Sequence, residues 1–177
     1  MNQETVTQII SFLALLSHIG LVIVLISYFV LKEKSNWFWK FLGNNGILFA
    51  FLVALSATLG SLYYSEIAKL EPCVMCWYAR IAMYPIVIIA GLALFKKKDK
   101  SIIPYGILLA VAGMLVNLYH VYLQFGTHIA TTCSPFAYSV SCSDTYFVEY
   151  GYISFPVLSL TAFVMIIVAL LFTRKHS

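Results

Sequence analysis

Charge is what this sequence has least of. Of its 177 residues, 10% are charged and 62% are apolar, and the mean hydropathy is +0.91. A soluble domain carries about 25% charged and about 45–50% apolar residues. A core of this size cannot hide so much apolar surface from water, so a soluble enzyme, a disordered tail and a nucleic-acid module are excluded. Arginine occurs only at Arg80 and Arg174. The net charge of +4 does not signal a nucleic-acid partner, because nine of the eleven Lys and Arg residues sit in short clusters between apolar runs. The chain also lacks a second Cys-x-x-Cys, a closely spaced His pair and a Gly-x-Gly-x-x-Gly fingerprint. These absences argue against a closed zinc module and a Rossmann dinucleotide site. No internal repeat or low-complexity segment is present.

What the chain has in abundance is long apolar runs. Five can be read, over residues 9–31, 46–64, 77–95, 102–122 and 153–173. Each is close to one bilayer crossing of roughly 20 residues. The first lacks a basic leader and a small-residue cleavage site, so we read it as a retained helix and not as a signal peptide. The expected architecture is an all-α membrane protein with five spans. Lys32, Lys34 and Lys40 follow the first run, Lys96, Lys97, Lys98 and Lys100 the third, and Arg174 and Lys175 the fifth. With five alternating spans all three clusters fall on one face, which the positive-inside rule makes cytoplasmic. The N-terminus is then outside and the C-terminus inside. Two outer loops follow, over residues 65–76 and 123–152, the second without Lys or Arg. Within it, residues 146–152 are rich in aromatics, which fits a short interfacial helix or an aromatic belt.

All four cysteines, Cys73, Cys76, Cys133 and Cys142, fall in these two outer loops. A bacterial extracytoplasmic compartment is oxidising and permits disulfides. Of three possible connectivities, we expect Cys73–Cys76 and Cys133–Cys142. Cys73-Val74-Met75-Cys76 could be a structural bridge or half of a zinc site, for which His120 and His128 would have to serve as further ligands; no metal is expected. Its position favours redox chemistry. Pro72 precedes it and a helix starts after it, where unpaired N–H groups stabilise a thiolate and lower thiol pKa values. Arg80 lies four residues after Cys76, on the same helix face. A guanidinium at that depth faces either the outer head groups or a partner in a cavity. Cys133 and Cys142 enclose eight residues, which suits either a structural bridge or an accessible exchange disulfide. His18 lies mid-span, where we expect an interhelical hydrogen bond. His120, one turn beyond Asn117, sits at the level of Arg80 and suits either ligand contact or a structural role.

Residues 71–80, Glu-Pro-Cys-Val-Met-Cys-Trp-Tyr-Ala-Arg, resemble the loop of the DsbB disulfide-bond-formation proteins, with the family's Pro-Cys-x-x-Cys-x-Tyr-x-Arg pattern at Pro72, Cys73, Cys76, Tyr78 and Arg80. Trp77 and the segment 153–160 resemble the BdbC-like branch. His120 is similar to a family histidine at the outer end of the corresponding helix. The resemblance runs over residues 46–173 and implies a four-helix bundle with two extracytoplasmic cysteine loops over residues 45–177. Residues 1–44 then form an additional N-terminal transmembrane helix and its cytoplasmic loop. Two features depart from the family: this extra helix, and a closer spacing of the second cysteine pair than in enterobacterial members. Vitamin K epoxide reductases have a related bundle, but their loop cysteines precede the Cys-x-x-Cys.

The resemblance implies a thiol:quinone oxidoreductase of the bacterial cytoplasmic membrane. Its partner would be a DsbA-like or BdbD-like thioredoxin-fold thiol oxidase, delivering electrons to Cys133–Cys142. Cys133 would be attacked by the partner and Cys142 would exchange with Cys73. Cys76 would face the quinone, ubiquinone or menaquinone, beside Arg80 and His120. Redox arithmetic agrees on the acceptor class. Extracytoplasmic thiol oxidants reach about −120 mV, so the final acceptor must be more oxidising and must reach a helix end in the membrane. The alternative is a non-enzymatic scaffold with two structural disulfides. A carrier sending electrons outward would need cysteines at both faces, which this chain lacks.

Overall fold

The computed structural model describes residues 3–30, 37–96, 99–126 and 146–175. Five helices account for most of them: α1 (Gln3–Val30), α2 (Trp37–Leu62), α3 (Val74–Phe95), α4 (Ile103–Gly126) and α5 (Phe155–Lys175). All five are long and apolar enough to cross a membrane. The expected all-α membrane architecture is what is observed. Helix α2 begins at Trp37 instead of residue 46, because Gly43, Asn44 and Asn45 interrupt the apolar run without interrupting the backbone ladder. Asn45 even donates its amide back to the Phe41 carbonyl, 3.1 Å away. Helices α4 and α5 carry Pro104 and Pro156 at their second position, where a missing N–H costs no intrahelical bond.

Helices α2 to α5 close a ring in which α2 packs on α3, α3 on α4, α4 on α5 and α5 on α2; α1 lies outside the ring against α5. The ring is held by close backbone approach. Ala50, Ala54, Ala90, Ala93 and Ala110 are buried around Ile47, Ile86, Phe163, Ile166 and Leu170. Gly113 lies under the Phe163 ring, and Gly46 sits so close to α5 that a Cβ would overlap the Ala169 carbonyl and the Thr173 hydroxyl. Small residues at helix contacts are the usual solution where lipid tails remove the hydrophobic drive for association. Large apolar side chains point outward instead, among them Ile88, Leu92, Leu108 and Leu115. In water that distribution would be a liability; against lipid it is neutral.

Two irregular segments shape the end of the ring that carries the cysteines. A π-helical turn, Tyr63–Ile67, extends α2, and Lys69 with φ 55° redirects the chain toward α3. After α4, residues 146–152 do not form the interfacial helix that was one of two readings. Tyr150 and Gly151 both have positive φ, 51° and 80°, and Glu149 and Ile153 exchange two backbone hydrogen bonds of 2.9 Å. Positive φ at both central residues is the signature of a primed hairpin turn and is incompatible with a right-handed helix. The aromatics of this turn pack inward as well as out: Phe147 meets Phe155 at 4.6 Å and Tyr64 at 6.1 Å between ring centroids.

Substituting Gly46→Ala should lower thermal stability in detergent by about 1–3 kcal/mol, the usual cost of overpacking. Gly20→Ala, at a site with open space around it, should be neutral or slightly stabilising. Equal melting temperatures for the two variants would contradict the packing described.

Candidate functional site

The start of α3 positions the chemistry. Cys73 is the N-cap, with extended backbone (φ −67°, ψ 167°), and its sulfur accepts the Cys76 backbone N–H at 3.4 Å. An oxygen side chain usually fills this capping position; here a thiol does. The fold brings the Cys76 sulfur within 3.1 Å of the Cys73 sulfur without a bridge between them. From α4, His120 places Nε2 at 3.6 Å from the Cys73 sulfur. Asn117, one turn earlier, donates to the Gly113 carbonyl at 2.8 Å and is fully buried. The Cys73 S–H points to the Cys76 sulfur, and the Cys76 backbone N–H points to the Cys73 sulfur.

That arrangement overturns one expectation. A helix start was expected to acidify both thiols, yet the Cys73 thiol is pushed up to about 12. Its hydrogen bond to Cys76 favours the protonated form, and burial adds to this; the His120 contact pulls the other way and is outweighed. Cys73 thus holds its proton and offers it to the neighbouring sulfur. Three soft donor atoms, the two sulfurs and a His120 ring nitrogen, lie within 4.8 Å of one another. A closed structural zinc site uses four, so these three make at most an open donor set.

Arg80 is 8% exposed. Its Nε donates to the Ser61 hydroxyl at 2.8 Å and its terminal nitrogen to the Ser61 carbonyl at 3.1 Å. The guanidinium also lies over the Trp77 ring, 5.2 Å from the centroid, a favourable cation–π distance. Of the two readings for Arg80, head-group snorkelling and a cavity partner, the structure takes the second. A cavity of about 380 Å³ is lined by Cys76, Arg80, Asn117 and His120 together with mostly apolar and small residues of α1, α2 and α5. Its size falls in the roughly 300–1,000 Å³ range of small-molecule sites. Thr58 also lines it, with a buried hydroxyl that has no hydrogen-bond partner among the described residues. Cys73 does not reach this space. It faces a smaller pocket of about 30 Å³, roofed by Tyr146 and Phe147, which Cys76 and His120 share. Tyr146 pins the roof by donating to the Glu71 carbonyl at 2.8 Å.

Of the site residues read from sequence, Cys73, Cys76, Arg80 and His120 converge within this region. Cys133 and Cys142 lie outside the described residues, as does His128. His18 meets the expectation of an interhelical bond: its Nε2 is 2.7 Å from the Thr161 hydroxyl. Sequence reasoning missed Ser61, Thr58 and the roof residues Tyr146 and Phe147. Ser61 has no local signature, because its role is set by Arg80, 19 residues away; the aromatic stretch 146–152 was visible, but not its place over the cysteines.

With reduced protein, initial alkylation should fall on Cys76 well ahead of Cys73. Cys73 labelling should rise about tenfold per pH unit through pH 8–10, since only the thiolate reacts. Peptide-resolved mass spectrometry would measure both; Cys73 labelling that levels off by pH 8 would contradict the raised value.

Residues 44–173 match the family model described as "Disulfide bond formation protein DsbB". The chain is 41% identical over 128 residues to the "Disulfide bond formation protein C" of Bacillus subtilis, covering 71% of this chain and 91% of that protein. It is 40% identical over 136 residues to the "Probable disulfide formation protein C" of Halalkalibacterium halodurans, covering 75% and 96%. A "Probable disulfide formation protein" of Chlamydia caviae is 37% identical over 124 residues, covering 70% and 88%. No solved structure matches. With a dithiol at a helix start beside a buried arginine, inside a bundle that this model covers almost completely, the chain belongs to the DsbB family of disulfide bond formation proteins.

Proposed function

We propose that the protein is a membrane thiol:quinone oxidoreductase that re-oxidises an extracytoplasmic thioredoxin-fold thiol oxidase. The observation that carries this reading is the placement of Cys76, Arg80 and His120 on one apolar cavity between membrane helices. A quinone ring is flat and apolar with two carbonyl acceptors. The cavity suits that chemistry: a largely apolar wall and a buried cationic donor at Arg80. When bound, the quinone supplies an acceptor for two electrons and two protons.

The chain's own residues divide the work. Electrons enter from the partner's dithiol, which is oxidised to a disulfide as Cys133–Cys142 is reduced to two thiols. Exchange then runs through Cys142 and Cys73, so that Cys73–Cys76 becomes the dithiol. Its re-oxidation forms one S–S bond and releases two electrons and two protons, which convert one quinone to one quinol. Cys76 faces the cavity and acts as the thiolate there. Cys73 keeps the second proton, and His120, 3.6 Å from its sulfur, is placed to accept it. Arg80 orients and polarises a carbonyl oxygen. The site faces the extracytoplasmic side, with the N-terminus outside and the C-terminus inside, as the three basic clusters suggest. The membrane is the bacterial cytoplasmic membrane, and the quinone is ubiquinone or menaquinone.

Reduced protein in detergent, freed of reductant without oxygen, should lose thiols on addition of a soluble quinone. One quinol should appear for every two thiols lost, counted by mass tagging. Thiols that persist in folded protein beside oxidised quinone would favour the scaffold with structural disulfides. Arg80→Ala removes a charged donor worth about 1.5–3 kcal/mol, so quinone-dependent turnover should fall about 10- to 150-fold. Thiol exchange with the partner should change far less, and equal loss of both half-reactions would remove Arg80 from the acceptor site.

A further inference from the structure

Helix α1 precedes the residues that the family model covers, yet it is built into the cavity. Its inward stripe is Thr7, Ser11, Ala14 and His18, at spacings of four, three and four. Thr7, Ser11 and Ala14 are buried, Ser11 completely. Large side chains such as Phe12, Leu16, Ile19 and Ile23 point away, each about half exposed or more. Small residues at helical spacing let α1 approach closely, and polar groups fix its register. The Thr7 hydroxyl meets the Tyr64 hydroxyl at 3.0 Å. Thr161 donates to the Val157 carbonyl at 2.8 Å, so the His18 Nε2–H must donate to Thr161, and Nδ1 accepts from Tyr152 at 3.4 Å.

These pins hold α1 beside the cavity mouth. Ile10, Leu13, Ala14 and Ser17 line the cavity from α1, and Tyr64 and Thr161, the two partners of the pins, line it as well. The α2 wall is a stripe of Val53, Ala57 and Gly60, leading up to Ser61 beneath Arg80. Leu13 is 58% exposed while lining the cavity, so the space reaches the lipid-facing surface along α1. Arg80 and His120 stand at the other end. The result is a slot with a polar head and an apolar throat.

We infer that α1 is a specificity wall, holding the apolar tail of a lipid-soluble acceptor in the throat between α1 and α2 while its ring sits at Arg80 and His120. The inference rests on the quinone reading above and adds a role for the helix that the family model does not cover. It makes Leu13 and Ser17 specificity-determining positions for the acceptor tail.

The test compares a long-chain quinone in nanodiscs with a tailless soluble analogue, using the full-length protein. Leu13→Trp and Ser17→Phe narrow the throat; Leu16→Trp, on the lipid-facing side, is the control. The two throat variants should raise KM for the long-chain quinone at least fivefold and change KM for the tailless one less than twofold. The control should match wild type for both. A long-chain quinone carrying a diazirine on its tail should label the peptide spanning residues 10–17, and Leu13→Trp should reduce that labelling. Wild-type protein that oxidises with neither quinone would overturn the quinone reading itself. Wild-type protein that uses both, with throat variants shifting neither KM or both equally and labels falling outside α1, would overturn the role of α1 alone.

Discussion

A guanidinium buried among apolar helices is the constraint around which the cysteine-bearing end of this bundle is arranged. A permanent charge at membrane depth is tolerated only where it faces protein or a cavity. Arg80 meets that condition through a hydroxyl, a carbonyl and an indole face. All three are neutral, so they fix the orientation of the group without cancelling its charge. The positive field stays directed at the cavity. Ser61, which accepts both hydrogen bonds, lies two residues before the π turn that extends α2. A widened turn at that place fits the tendency of such turns to mark functional sites.

The second organising fact is the asymmetry of the two thiols. They are three residues apart and their sulfurs nearly touch, yet only Cys76 reaches the large cavity. Cys76 looks into the large cavity, while Cys73 looks into a small pocket under Tyr146 and Phe147. Its hydrogen bond to Cys76 and its burial keep Cys73 protonated. Cys73 is thus held as a protonated thiol, while Cys76 is the sulfur that reaches the large cavity. The Cys-x-x-Cys spacing creates a pair; the N-cap geometry makes its members unequal.

The bundle itself shows how a membrane changes the meaning of burial. Its interior is made of alanine and glycine contacts around a few large residues, with Phe163 filling the space over Gly113. Polar groups inside are satisfied locally, as when Thr173 donates to Ala169 or Asn117 to Gly113. Against this background, the buried Thr58 and Ser11 hydroxyls, without partners among the described residues, stand apart. Thr58 lines the cavity; Ser11 lies on the inward stripe of α1.

Hydropathy alone determined the five helices, because a backbone in hydrocarbon must satisfy its own hydrogen bonds and a helix of about 20 apolar residues does so without help. The motif at residues 71–80 likewise needed no tertiary information, since Cys73, Cys76 and Arg80 are brought to one helix start by local geometry. What hydropathy could not reach is contact between distant residues. Arg80 with Ser61, Cys73 with His120, Thr7 with Tyr64 and His18 with Thr161 join positions 19, 47, 57 and 143 apart. The start of α2, the turn at Tyr150–Gly151 and the docking of α1 were decided the same way. In lipid, apolar side chains carry almost no information about which helix face turns inward. Only close backbone approach and a few polar pins decide it, and those exist only once the helices have met.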